Sequence, residues 1–153
     1  GRGAQIEATL IHWGDTVSVT QPAGVLPKGM FEPRCDQRTT AMAGAMQAAK
    51  EEIPALFESS ATPENKLIVH FTDWKLDRQS AYDAVSMNGE ALEAGTKILS
   101  ITPEELVLGS FYDSYEYLLK RYGAAYGGQL TTAVYDHKNP DMVWETAQRA
   151  IGR

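Results

Sequence analysis

The first hydrophobic pattern in the chain is a pair of short runs of strand-forming residues, 6–13 and 16–20, separated by Gly14 and Asp15. A tight-turn pair between two such runs predicts a β-hairpin. Residues 21–38 contain three prolines and two glycines. We therefore expect a long irregular loop there, of the kind that is often functional in compact domains.

After this loop, helical and strand patterns alternate. Apolar residues recur at helical spacing in four segments, 40–53, 78–94, 110–124 and 140–151. Short apolar runs typical of buried strands occupy 67–73, 96–101 and 129–134. Strands that alternate with helices predict right-handed crossovers and a parallel sheet with helices on both faces. We predict one α/β domain over residues 1–153, with a Rossmann-like, mostly parallel sheet and the hairpin as its antiparallel edge.

Composition limits the classes of function. Hydrophobic residues make up 43% of the 153 positions and charged residues 22%, which is ordinary for a globular domain. The net charge of −6 disfavours nucleic acids and anionic membranes as partners. Cys35 is the only cysteine, so neither an intrachain disulfide nor a thiolate zinc cluster is expected. Without an apolar run of about 20 residues or a recognisable signal peptide, the expected location is cytoplasmic.

The strand predicted at 67–73 ends in Thr72 and Asp73. Open α/β sheets bind their ligands at the carboxyl ends of their strands, so Asp73 is the first candidate for a functional side chain. The structural alternative is that Asp73 caps the helix that follows, which aspartate also does well.

Several segments resemble, in chain order, a von Willebrand factor type A domain. Residues 13–19 resemble that family's second and third strands with their tight turn. Residues 39–46 resemble its threonine-bearing loop and the helix after it. Residues 71–73 resemble the strand-end aspartate motif, 97–101 the next strand, and 122–130 the approach to the last strand. The resemblance covers nearly the whole chain.

This resemblance implies a protein-binding or assembly module. In the family, a Mg²⁺ ion occupies a metal-ion-dependent adhesion site (MIDAS) at the carboxyl edge of the sheet. An Asp-x-Ser-x-Ser loop, a threonine and an aspartate hold the ion, and an acidic side chain of the partner completes its coordination. By position, Thr40 and Asp73 would be metal ligands. Hard cations such as Mg²⁺ prefer such oxygen donors. Trp74, as an aromatic anchor, and Lys75 would contact the partner.

The chain departs from the family pattern in two ways. Trp74 stands where the family has glycine, and no Asp-x-Ser-x-Ser occurs anywhere in the sequence. The first strand, which is central in that fold, is missing, so the facing edges of two other strands would be exposed. Either the chain is a fragment, or a second chain or segment supplies the strand, or the alignment is shifted. In the shifted alignment, 8–13 would be the central strand and 14–18 a degenerate metal loop.

Motifs of catalysis are absent from the sequence. There is no phosphate-binding Gly-x-x-x-x-Gly-Lys-Ser/Thr, no Gly-x-Gly-x-x-Gly and no Gly-x-Ser-x-Gly. His12, His70 and His137 share no metal-ligand spacing, and His70 is expected to be a hydrogen-bonded core residue. We therefore predict a non-enzyme. The alternatives are a small-molecule or nucleotide-binding enzyme on the same sheet, or a structural subunit of a larger assembly.

Overall fold

A computed structural model of the chain describes residues 7–13, 17–25, 42–59, 65–106 and 114–151. The strands are β1 (Glu7–Trp13), β2 (Val17–Val25), β3 (Leu67–Phe71), β4 (Lys97–Thr102) and β5 (Leu130–Val134). The helices are α1 (Met42–Glu52), α2 (Arg78–Glu93), α3 (Ser114–Tyr126) and α4 (Met142–Ile151), with short 3-10 turns at Pro54–Phe57 and Gly127–Gln129. No helix within these ranges is long and apolar enough to span a membrane.

Strands β3, β4 and β5 form a parallel sheet in the order in which they occur along the chain. Val69 of β3 lies opposite Leu99 of β4, which in turn lies opposite Thr131 of β5. Helices α2 and α3 connect successive strands, as the alternating pattern predicted. The α/β class and the parallel sheet are therefore confirmed.

The predicted hairpin is present, with Trp13 opposite Val17, but it differs from the prediction in two respects. Strand β2 continues through Pro22 and Gly24 to Val25, where an irregular loop was expected. Proline is tolerated on an edge strand, because its missing N–H can face away from the ladder. In the described part of the chain, the hairpin is also a separate two-stranded sheet rather than an edge of the parallel one. The remainder of the predicted loop, 26–38, lies outside the described residues.

Helices cover both faces of the parallel sheet. On one face, Ile68 and Ile98 belong to the main core, to which α1, α2 and α3 contribute. On the other face, Leu99 and Ile101 pack with Ala147 of α4. This alternation of side chains is what a strand buried on both faces requires. Helix α1 packs against α2 and also against both strands of the hairpin, so it links the two sheets.

Lys66 fixes the entry into β3. Its side chain is almost buried, with 9% exposure, and its ammonium group donates three hydrogen bonds to backbone oxygens. The acceptors are Ala55 at 3.1 Å, Glu58 at 2.8 Å and Ala94 at 2.6 Å. One buried cation thus joins the 3-10 turn, the start of β3 and the end of α2. Gly95 ends α2 with φ of +89°, in the left-handed region that glycine tolerates best.

Candidate functional site

The candidate site is the carboxyl edge of the parallel sheet. Asp73 follows β3, Glu104 follows β4 and Asp136 follows β5, so each of these strands is succeeded by an acidic residue. Helix α2 begins at the same edge, because each crossover helix starts where the preceding strand ends. The edge therefore combines acidic side chains with the positive end of a helix dipole.

Asp73 is partly exposed, and it organises the turn after β3. Its Oδ1 accepts a hydrogen bond of 2.9 Å from the backbone N–H of Lys75, which is an Asx turn. Oδ2 makes no hydrogen bond to the described residues. The cap of α2 is Asp77 instead, whose Oδ1 accepts from the N–H of Ser80 at 2.9 Å. Hydrogen bonds from Ser80 hold the pKa of Asp77 below its usual value. The capping alternative for Asp73 is therefore wrong.

Trp74 is completely buried, so the prediction that it serves as an exposed aromatic anchor is wrong for this conformation. Its indole Nε1 donates to Oγ of Ser100 at 3.0 Å. Its ring meets those of Tyr115 and His70 edge to face, with centroids 5.2 Å and 5.7 Å away. The backbone of Trp74 has φ of +61°, a left-handed conformation that is unusual for a bulky residue. The sequence signal for this backbone conformation was the resemblance noted above, in which Trp74 stands at a glycine position.

The backbone of Trp74 also connects the end of β3 to the start of α3. Its N–H donates to Oγ1 of Thr72 at 3.0 Å, and its carbonyl oxygen accepts from the N–H of Leu76 at 3.1 Å. The same oxygen accepts from both the N–H, at 3.3 Å, and the hydroxyl of Ser114. Sequence reasoning missed this network. It holds the turn that carries Asp73 in one conformation, against the sheet and α3.

Lys75, the other residue predicted to contact a partner, stays on the surface. Its ammonium group lies 3.7 Å from the Glu104 carboxylate, and the two side chains are 60% and 74% exposed. An ion pair so open to solvent contributes little to stability. Lys75 and Glu104 are therefore accessible to a binding partner.

His70 lies beneath this edge and is a core residue, as predicted. It is 5% exposed, and its Nε2 is 2.8 Å from Oδ1 of Asn88. The Asn88 amide nitrogen donates to the carbonyl oxygen of Ala84 at 2.7 Å, which directs Oδ1 towards the imidazole. Nε2 must then carry the proton. Burial lowers the pKa of His70 to about 4, because charging the ring there would remove a cation from water.

The described residues supply only part of a cation site. Asp73 offers one carboxylate oxygen, and no group of three or more His, Cys, Asp or Glu side chains within the described ranges could hold a metal ion. Thr40, the second predicted ligand, lies outside the described residues. A hard cation takes six or more oxygen ligands, so further donors would be needed beside Asp73.

A cavity of about 260 Å³ lies elsewhere, between β5 and α4. Thr131, Met142 and Arg149 are among the residues that line it. None of its lining residues belongs to the turns after β3 or β4. It is therefore separate from the turn that carries Asp73.

Comparisons with known protein families, with curated proteins and with solved structures find no match to this chain.

Proposed function

We propose that this chain is a protein-binding and assembly module of the von Willebrand factor type A kind. In this proposal, a strand from a second chain or segment completes its sheet, and the carboxyl edge binds a partner. The single observation that carries the proposal is that, within the described residues, the hairpin and the parallel sheet do not pair with each other, so each keeps an edge strand with one partner.

Among the described residues, strand β3 pairs on one side only. The N–H of Lys97 donates to the carbonyl oxygen of Lys66, and the N–H of Thr72 donates to that of Ile101, so the even-numbered residues of this strand face β4. Backbone groups alternate along a strand, and those of Leu67 and Val69 therefore point away from β4. An apolar strand that the described residues pair on one side only is a template for strand addition.

The hairpin also has an edge strand, β1, with a described partner on one side only. Strand β1 is paired with β2 alone in the described part of the chain, and α1 packs against the hairpin while contributing to the main core. A strand between β1 and β3 would join the two sheets into one. In a type A domain this position is occupied by the first strand, which has no counterpart in the alignment of this chain. A completing partner would supply that strand.

The carboxyl edge is the proposed binding face. Asp73 has one carboxylate oxygen free of the described hydrogen bonds, and Lys75 is exposed beside it. We propose that Asp73 and Thr40 bind Mg²⁺ together with ligands from the completing segment. The ion would attract an acidic side chain of the partner. The left-handed backbone of Trp74, where the family has glycine, supports the alignment on which this assignment depends.

Amide hydrogen exchange tests the open edge, with an internal control in the same strand. In the isolated chain, the outward amide of Val69 should exchange roughly 100-fold faster than the amide of His70, which faces β4. Rates are corrected for intrinsic exchange and measured at concentrations where native mass spectrometry gives a 16.8 kDa monomer. Equal protection of the two amides in the monomer would mean that the chain itself already covers this edge, and would refute the proposal.

Thermal unfolding tests the cation. Mg²⁺ should raise the melting temperature of the protein joined to its completing segment, and Asp73→Ala should abolish the increase. Asp136→Ala is a matched control, because Oδ1 of Asp136 accepts from the N–H of Lys138 at 2.9 Å in the same kind of turn after β5. If Asp73→Ala and Asp136→Ala respond equally to Mg²⁺, Asp73 is not a ligand.

A further inference from the structure

A strip of arginine and tyrosine side chains lies across the outer surface of α2 and α3. Tyr82 of α2 and Tyr117 of α3 are 37% and 41% exposed, and their rings meet edge to face with centroids 5.2 Å apart. Arg78 precedes Tyr82 by one helical turn, and Arg121 follows Tyr117 by one turn. We call these four residues the Arg–Tyr patch.

Both arginines of the patch contact neighbouring side chains, and both remain exposed. A hydrogen bond and the positive charge of Arg78 lower the pKa of the Tyr82 phenol. Arg121 lies over the Tyr122 ring at 5.3 Å, and its Nη1 is 3.5 Å from Oγ of Ser86. These contacts limit the conformations of two long side chains without neutralising their charge.

Neither arginine has a carboxylate partner among the described residues. The ion pairs that the structure shows there are formed by lysines: Lys50 with Glu90, Lys75 with Glu104, and Lys120 with Glu116. Of the neighbouring acids on α2, Asp77 caps the helix and Asp83 accepts from the Gln79 side chain at 3.3 Å. The patch therefore presents two guanidinium groups that form no ion pair with a described carboxylate, although Asp77 and Asp83 are their neighbours along the helix.

We propose that the Arg–Tyr patch docks an acidic segment of a protein partner. Guanidinium groups bind carboxylates through two parallel hydrogen bonds, and the tyrosine rings offer a rigid, partly apolar contact beside them. Tyrosine and arginine are also the residue types that dominate binding energy at protein interfaces. The patch lies on the helices and not on the open edge of β3, so it depends on neither the missing strand nor a cation.

A fluorescein-labelled peptide of glutamate and leucine residues is the probe, and binding is measured by fluorescence anisotropy at about 50 mM salt, where surface charges are weakly screened. The wild-type chain should bind it, and Arg78→Gln and Arg121→Gln should each weaken binding roughly tenfold. Arg149→Gln on α4, also an exposed arginine without a described carboxylate partner, is the matched control and should bind as the wild type does. Circular dichroism verifies that each variant is folded.

Four results would overturn the proposal. The first is no binding by the wild-type chain. The second is an equal loss of affinity in Arg149→Gln, which would indicate non-specific attraction. The third is equal binding of a peptide with glutamine in place of glutamate, which would exclude carboxylate recognition. The fourth is tighter binding of a single-stranded oligonucleotide at the same arginines, which would indicate a phosphate-bearing partner instead. The peptide assay contains EDTA and no completing segment, so it needs neither Mg²⁺ nor an added strand, and failure of the proposed function and of this inference are distinguishable.

Discussion

The buried imidazole of His70 should make the protein lose stability in mild acid. Its Nε2 proton is donated to Asn88, so further protonation would occur at Nδ1, which has no hydrogen-bond partner among the described residues. The neighbouring Trp74 ring packs against the imidazole edge to face, with centroids 5.7 Å apart, and keeps water away from that side. The folded state therefore favours the neutral ring.

The size and direction of the effect follow from proton linkage. The pKa of His70 falls from its ordinary value of 6.5 to about 4 on folding. Between these pH values the unfolded chain binds more protons than the folded one, so the free energy of unfolding decreases as the pH falls. The stabilisation is fully present above pH 6.5 and is lost progressively towards pH 4. The total loss is about 3 kcal/mol, a large part of the stability of an ordinary domain.

Urea unfolding at a series of pH values, followed by tryptophan fluorescence, measures this loss. His70→Gln keeps a side-chain donor for Asn88 but removes the titration, so its stability should fall less steeply between pH 6.5 and 5 than that of the wild type. His137→Gln, which changes an exposed histidine after β5, should behave as the wild type does. Carboxylates that titrate in this range affect all three proteins alike. Equal slopes for wild type and His70→Gln would refute the reasoning.

Two substitutions test the links around α2. Lys66→Met removes the donor to three backbone oxygens and should lower the free energy of unfolding by about 2 kcal/mol in urea titrations; unchanged stability would mean that these hydrogen bonds contribute nothing net. Gly95→Ala places a side chain at φ of +89° and should cost about 1 kcal/mol. Gly127→Ala, where a Cβ would meet no atom within 4 Å, should cost nothing by comparison, and an equal effect at both glycines would exclude backbone strain as the cause.

The spacing of apolar residues along the chain predicted the helices and strands from α1 onward. Each helix and each strand from α1 to α4 occurs where the spacing of apolar residues predicted it. A helix that is buried along one side has apolar residues at helical spacing, and a buried strand is a short apolar run, so both patterns are visible in the sequence. Pro22 and Gly24 misled the prediction of β2, since strand pairing outweighed their intrinsic preference for turns. In the described part of the chain the hairpin does not pair with the parallel sheet, and this depends on tertiary packing, which has no local signal in the sequence.

The site was predictable in position but not in detail. The strand-end position of Asp73 followed from the apolar run before it. The burial of Trp74 could not be predicted in the same way, because an aromatic residue in a turn can be either an exposed binding residue or part of the core. Only the arrangement of Ser100, Tyr115 and Ser114 around it decides between them. Those contacts come from β4 and α3, which are distant in sequence.

The three strands of the parallel sheet lie side by side in the same order as they occur in the chain, and this has a consequence for folding. Strands β3, β4 and β5 each pair with the next strand along the chain, so every pairing in this sheet closes over one crossover helix, as between Leu67 and Lys97. Parallel pairings of this kind form slowly, because the paired residues are separated by a whole helix in the chain. The hairpin precedes α1 and α2 in the chain, yet it packs against α1, which in turn packs on α2. It must therefore wait for elements that emerge from the ribosome later. During that interval its strand edges are exposed, and binding by a chaperone would protect them from aggregation.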